Sequence, residues 1–349
     1  MRASDVSYGA LPRIRLLAVE ALDELIESQD LNGLLRAVDA GCEARRWEEL
    51  LELADRCEDA VERGKQLWPI AAHIDYRMAL EAPGRYAARV LDPDVGRFAA
   101  GPLTEVAAST HSWLELAPHI ELPQVAAYVA QERVLRGEVL TGDARAHVEI
   151  LEMPLELQPW EPTYALATFG ASFSEVAEPW VPRAPLKEVV RRPDPEVADV
   201  EATDALLDLV APWTNESNGA AQAIMVRGDA VGAASCLTLD QLRIGPLTVA
   251  EALQHMAWAA SSGGAHGRRR GAAFGRFLAW YTAAVLTGFR WPVEPHGLFE
   301  ALNRLRFYRW DEGSAESGWT LRLVVEEPVE RWAAALGATD LLEEASEPP

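Results

Sequence analysis

The stretch from residue 12 to residue 64 constrains this chain most. Leu16, Leu17, Val19, Leu22, Leu25 and Ile26 fall on one helical stripe, and Trp47, Leu50, Leu51, Ala54, Cys57 and Val61 on another. Glu20, Asp23, Glu24, Glu48, Glu49, Glu52 and Asp55 occupy the opposite faces. Apolar residues at three- and four-residue intervals, with acids between them, can bury one side only, which demands amphipathic helices packed on one another. Asp30 is an N-cap for a helix ending near Gly41, and Gly64 is a stop signal for its successor. Helices of this length with short joints predict helical hairpins, and the pattern continues to about Gly142.

Strand-like material follows. Val148, Ile150 and Met153 come first, and Tyr164 to Phe169 comes after a Pro-Trp-Glu-Pro break at residues 159–162. Residues 178–195 are rich in proline and charge and read as a linker or a strap laid over a surface. A helix is expected from about Thr203 to Val210, then a turn at Asn218-Gly219. Ala220 to Leu237 stays open between strand and helix, since Ile224, Val226 and Val231 favour the first and the alanines the second. Leu305–Trp310 and Trp319–Glu326 alternate as the two strands of a hairpin around a Gly/Ser-rich turn. The fold class is therefore mainly α with small β elements, in the α+β class.

Two sets of matching letters suggest an internal duplication. Gly101-Pro-Leu-Thr104, with His111 and Trp113, reappears as Gly245-Pro-Leu-Thr248, with His255 and Trp258. Further on, Ala126-Ala-Tyr128 and Val139-Leu-Thr-Gly142 match Ala272-Ala-Phe274 and Val285-Leu-Thr-Gly288. Each copy would be a helical unit, opened by Gly-Pro, followed by a short β-hairpin. The organisation expected is an N-terminal helical segment (1–64), an acidic first repeat unit (65–170) and a Pro-rich acidic linker or strap (171–214). A basic second repeat unit (215–330) and an acidic C-terminal tail (331–349) complete it.

Charge narrows the functional classes. The 349 residues carry 32 Lys+Arg against 54 Asp+Glu, a formal charge of −22. Such a balance disfavours wholesale binding to nucleic acid or to an anionic membrane. The longest apolar stretch, Ala272 to Gly288, is short for a membrane span and carries Arg276, so it reads as a buried helix. Met1 to Leu11 lacks the apolar run of a secretory signal. Three cysteines without zinc-ligand spacing point to reduced thiols in a cytoplasm. The acidity is uneven, because residues 241–325 hold 10 basic and 6 acidic side chains.

That basic lobe contains the most distinctive motif, Gly263-Gly-Ala-His-Gly-Arg-Arg-Arg-Gly271. Glycines let backbone N–H groups approach a ligand, a following helix N-terminus adds positive potential, and guanidiniums grip phosphate or carboxylate bidentately. The candidate anion-binding residues are therefore Gly264, His266, Gly267, Arg268, Arg269, Arg270 and Gly271, with His266 as proton donor if the ligand reacts. A loop of this kind can equally clamp the chain's own acids. Convergence on a concave pocket favours the first reading, and neutralisation by Glu or Asp the second. Neither the Walker ending nor the Gly-x-Gly-x-x-Gly spacing is present.

Other candidates carry less. Arg304, Arg306 and Arg309 interleave with Phe307, Tyr308 and Trp310, a composition that can stack single-stranded RNA, although alternation divides these residues between two faces. His111 with Glu115, and Glu251 with His255, have helical metal-ligand spacing but no third ligand, and His73 with Asp75 and Arg77 is weaker still. Ser172, Ser235 and Cys236 have no nucleophile signature. The leading expectation is a non-enzymatic cytoplasmic interaction or scaffold protein with a protein partner, no cofactor and no metal. The alternatives are an enzyme or sensor for a phosphate- or carboxylate-bearing small molecule at residues 263–271, and single-stranded RNA contact by the 305–326 hairpin.

Overall fold

The computed structural model describes residues 19–91, 102–176, 185–197, 199–239, 241–313 and 318–341. It is about 51% helix and 16% strand, an α+β protein. The amphipathic stripes fold into α1 (Val19–Ser28), α2 (Leu31–Glu43) and α3 (Trp47–Glu62). Asp30 caps α2 by accepting from the Gly33 N–H at 2.9 Å, while α2 runs past Gly41 to Glu43. Gly64, at φ +89°, supplies the left-handed residue just beyond α3. Next come α4 (Trp68–Glu81), α5 (Gly84–Ala87), α6 (Leu103–Thr110), α7 (Trp113–Leu116), α8 (Pro123–Leu135) and α9 (Val148–Leu151). Their inward faces, among them Leu34, Leu50, Ile74, Met78, Leu116 and Val129, make one core. The expected stripe residues Leu16 and Leu17, and Gly101 of the first repeat letters, lie outside the described residues.

Val148 and Ile150 belong to a one-turn helix rather than a strand. His147 and Glu152, at φ 45° and 53°, turn the chain at its two ends. The strand signal from Tyr164 onward narrows to β1 (Ala167–Gly170), paired with β2 (Phe173–Val176). Tyr76 donates its hydroxyl to the Gly170 carbonyl at 2.7 Å and ties this hairpin to the helical core.

The second half is a six-stranded antiparallel sheet. In chain order its elements are β3 (Lys187–Val189), α10 (Val200–Asp208), α11 (Ala211–Asn215), β4 (Ala220–Val226), α12 (Ala230–Leu237) and β5 (Leu242–Leu247). Then follow α13 (Val249–Ser261), α14 (Ala272–Leu286), α15 (Pro295–Leu302), β6 (Arg306–Asp311), β7 (Trp319–Glu327) and β8 (Trp332–Asp340). The strand order is β3-β5-β6-β7-β8-β4. Residues 220–237 thus hold both a strand and a helix, joined by an N-cap at Asp229. β6 and β7 form the expected hairpin, with Tyr308 opposite Val324.

Both faces of the sheet are covered. Phe307, Leu321, Leu323, Val325 and Leu336 join the core beneath α10 and α13, on which α14 packs, whereas Trp310, Val324, Ala333 and Ala335 join a smaller core beneath α12. A doubly covered strand reads as a continuous apolar run, as Leu321 to Val325 nearly does. The stretch expected as an acidic tail contains β8, between β7 and β4. Its alanines hid it, since Ala has little strand propensity. Here small side chains let both layers close on the sheet, and Gly337 lies under the Trp310 ring, where an added Cβ would be 3.0 Å from it.

An internal duplication is not shown by these elements. Pro102 precedes α6 directly, but Gly245, Pro246 and Leu247 end β5, and only Thr248 caps α13. His111 caps the end of α6, while His255 lies inside α13. Ala126–Tyr128 is mid-helix in α8, whereas Ala272–Phe274 begins α14. No helix among the described residues is long and apolar enough to cross a membrane.

Candidate functional site

The Gly263–Gly271 segment joins α13 to α14 and folds tightly on itself. An added Cβ at Gly263 would stand 2.3 Å from the Gly267 carbonyl oxygen, and Gly264 and Gly271 sit at φ +72° and +91°. These glycines are thus required by the turn. Several of the backbone N–H groups the turn presents are taken up internally. Ala265 donates to Asp340 Oδ2 at 2.6 Å, His266 to Ser217 Oγ at 3.0 Å, Arg268 to Glu216 Oε2 at 3.3 Å and Arg270 to the Ser261 carbonyl at 2.7 Å.

At the N-terminus of α14 the potential for an anion is real, and the chain fills it with its own carboxylates. Glu105 accepts from the Ala272 N–H at 3.3 Å, and Glu132 from the Ala273 N–H at 2.6 Å. Arg269 grips Glu105 through two 2.8 Å bonds and Arg136 holds Glu132 at 2.6 Å, all of these side chains being buried or nearly so. Burial works against the charge of Arg269, but Glu105 outweighs it and raises the pKa. Burial and the neighbouring Glu105 charge push the Glu132 pKa up, against the pull of Arg136. Arg270 pairs with Glu216, and His266 and Arg268 are exposed. Of the three guanidiniums, two are therefore neutralised by the protein's own acids, and the three do not converge.

One turn further along α14, Arg276 is wholly buried and forms a second node. It makes a bidentate pair with Glu161 at 2.8 and 2.6 Å, and donates to Gln131 Oε1 at 2.6 Å. It also donates to the Pro154 and Glu156 carbonyls, each at 3.0 Å. Glu161 additionally accepts from Tyr164 and Trp280, at 2.6 and 3.0 Å. Burial alone would raise the Glu161 pKa, yet the Arg276 bonds and charge bring it down. Every acceptor named here belongs to α8 or to residues 154–161, so Arg276 fixes that irregular segment against the helix.

The fixed segment carries Trp160 on top. Its ring lies 4.9 Å from that of Trp280 and stacks on Phe299 of α15 at 5.4 Å and 12°. Between the segment and α15 opens a groove of about 670 Å³, whose lining includes Val148, Leu155, Glu156, Trp160, Glu294 and Phe299. Glu294 also caps α15 through the His296 and Gly297 N–H groups, which lowers its pKa. A smaller cavity of about 370 Å³ lies at the C-terminal end of α14, around Thr287, Arg304, Glu327 and Trp332.

The remaining candidates resolve into structure. His111 has its ring nitrogens 3.0 and 2.7 Å from the Ala107 and Ala82 carbonyls, and His255 has one 2.7 Å from the Glu251 carbonyl. Glu115 and Glu251 close capping boxes with Ser112 and Thr248. Among the described residues no cluster of His, Cys, Asp and Glu could hold a metal ion. Arg77 of the His73 group pairs with Asp39 and Glu81. Burial pushes the Cys236 thiol up, and Ser235 donates to the Val231 carbonyl inside α12. Phe307 and Trp310 are each 3% exposed, on opposite faces, so neither offers a ring to a base.

Sequence reasoning passed over the groove. Its signals were the Pro-Trp-Glu-Pro motif, read as a break, and Arg276 inside an apolar helix, which required a buried acid somewhere. Fold and site together define an α+β protein whose helical half is tied to α14 and the loop before it by two buried arginine nodes, beside an open aromatic groove. The chain belongs to DUF6183, a family of unknown function, whose model matches residues 32–341. No curated protein and no solved structure matches it.

Proposed function

We propose that the protein is a non-enzymatic interaction module whose aromatic groove receives a segment of a protein partner. The carrying observation is the groove itself, an open apolar concavity whose floor, Trp160 on Trp280 and Phe299, is held rigid by the Arg276–Glu161 node. Rigid aromatic side chains in a preformed hollow supply contact area at little entropic cost. The titratable groups at the two arginine nodes are committed to ion pairs and helix capping, which supports a binding role over acid–base chemistry. The proposed setting is the cytoplasm, in keeping with three free thiols, of which Cys42 and Cys57 are pushed up to about 11 by burial.

The test is selection from a random peptide library on the purified full chain. Enriched peptides should lose binding to Trp160→Ala while that variant keeps the parent's far-ultraviolet circular dichroism and unfolds cooperatively. Enrichment that ignores Trp160→Ala, or the discovery of a small-molecule substrate turned over by the protein, overturns the reading.

A further inference from the structure

From the charge around this groove we infer that its occupant is a basic segment, with arginine or lysine beside apolar residues, an assignment that rests on the interaction reading above. Trp160 and Phe299 stack on each other and Trp280 backs the same ring, so the aromatic surface offered is apolar floor rather than a cage around one cation. Val148 and Ile150, on the short α9 helix at the groove's side, remain 48% and 39% exposed. Apolar surface continuing past a cavity mouth fits a chain segment better than a small ligand.

The sign of the charge is one-sided. Glu156 and Glu294 line the groove beside His296, and among the described residues no lysine or arginine does. Glu300 stands next along α15, 3.3 Å from His296. In the sequence no lysine or arginine occurs between Arg145 and Arg183, whereas Glu149, Glu152, Glu156 and Glu161 fall within residues 146–161. Of these, Glu161 is neutralised beneath the floor by Arg276, and Glu149 lies 2.9 Å from His147. Glu152 and Glu156 are exposed. The Glu156 and Glu294 carboxylates beside an aromatic floor suit arginine and lysine twice over. Their methylene stems lie on apolar rings while the cationic ends reach carboxylates in water. It repels acidic segments, and so supplies selectivity that an apolar hollow alone lacks.

The experiment uses the full chain and three blocked synthetic nonapeptides, titrated by calorimetry. The first is Ser-Arg-Leu-Pro-Leu-Arg-Leu-Pro-Ser; the second replaces both arginines by citrulline, which keeps the shape without the charge; the third replaces them by glutamate. The arginine peptide should bind tightest, the citrulline form about tenfold weaker and the glutamate form weaker again, as expected for two partly screened ion pairs. Raising salt from 50 to 500 mM should erase the gap between the first two. Glu156→Gln should lower affinity for the arginine peptide about threefold, and Glu156→Arg more, each narrowing the gap between the arginine and citrulline peptides. Equal affinity of the arginine and citrulline peptides, with both still lost in Trp160→Ala, overturns the charge assignment and leaves the interaction reading intact. Absence of binding by all three, together with no enrichment from the random library, overturns both.

Discussion

Arg269 and Arg276 stand seven residues apart, one just ahead of α14 and one inside it, and both bury a guanidinium against a glutamate. They are held differently. Arg269 meets Glu105 with Glu132 close behind, so two carboxylates share the N-terminus of α14 and the guanidiniums of Arg269 and Arg136. Arg276 meets a single carboxylate, and the rest of its donors go to one amide oxygen and two carbonyls. The first node docks one half of the molecule on the other through charges that the helix dipole also favours. The second node has no such auxiliary and instead organises a segment lacking regular structure. A carboxylate at a helix N-terminus can lean on the dipole, whereas a guanidinium that shapes a loop must find an acceptor for each of its N–H donors.

The sharpest way to break this comparison is to remove each arginine in turn. Arg276→Met leaves Glu161 buried without its cation, and should cost about 3–5 kcal/mol in urea unfolding. It should also abolish peptide binding at Trp160. Adding Glu161→Gln should recover most of the stability, since replacing both members of a buried pair is far milder than orphaning one. A single-variant cost under about 1 kcal/mol would mean the node does not hold the groove wall.

Arg269→Met should cost less, about 2–3 kcal/mol, because Glu105 keeps the Ala272 N–H and the positive end of α14. Groove binding should persist in the folded fraction. If the two arginine variants prove equal, the dipole offers Glu105 nothing and the proposed difference between the nodes falls.

How much of this was legible beforehand differs by residue type. Amphipathic stripes announced α2 and α3 because their pattern depends on local spacing. The β6–β7 hairpin was equally plain, because aromatic and branched residues alternate around a turn. β8 was hidden by alanines whose value lies in the layers above and below them. The loop's glycines and arginines point to an anion or to the chain's own acids, but Glu105 and Glu132 lie more than a hundred residues earlier in the chain, and no local pattern names a distant partner. The groove was illegible for the same reason: residues 154–160 and α15 meet only in the folded chain.

Asp75 shows what a buried carboxylate does where acids, rather than an arginine, are its neighbours. It is 9% exposed on α4, and burial, with Glu58 and Asp55 nearby, raises its pKa from 3.8 to about 7. A folded-state value above the unfolded one means the native state holds the proton more tightly. Stability is therefore lost as pH rises from the unfolded value towards 7, and the loss is complete above that. Asp75→Asn should remove this dependence and gain on the order of 2 kcal/mol over the wild type between pH 5 and pH 8. A constant difference across that range would show that Asp75 ionises freely, and would weaken the claim that an arginine partner is what separates a stabilising buried acid from a costly one.

The smallest effect belongs to the arginine next to Arg269. Arg270 pairs with Glu216 with both side chains substantially exposed, at 45% and 35%. Water screens such a pair, and ordering two long side chains offsets most of the attraction, so Arg270→Ala should change stability by no more than about 0.5 kcal/mol. Chemical denaturation in low and high salt checks it, since whatever small contribution exists should vanish at high salt. Neighbouring guanidiniums, each matched to a glutamate, would then differ severalfold in effect through burial alone. A cost for Arg270→Ala as large as that for Arg269→Met would move the source of stability from the docked helix terminus to the loop's own conformation.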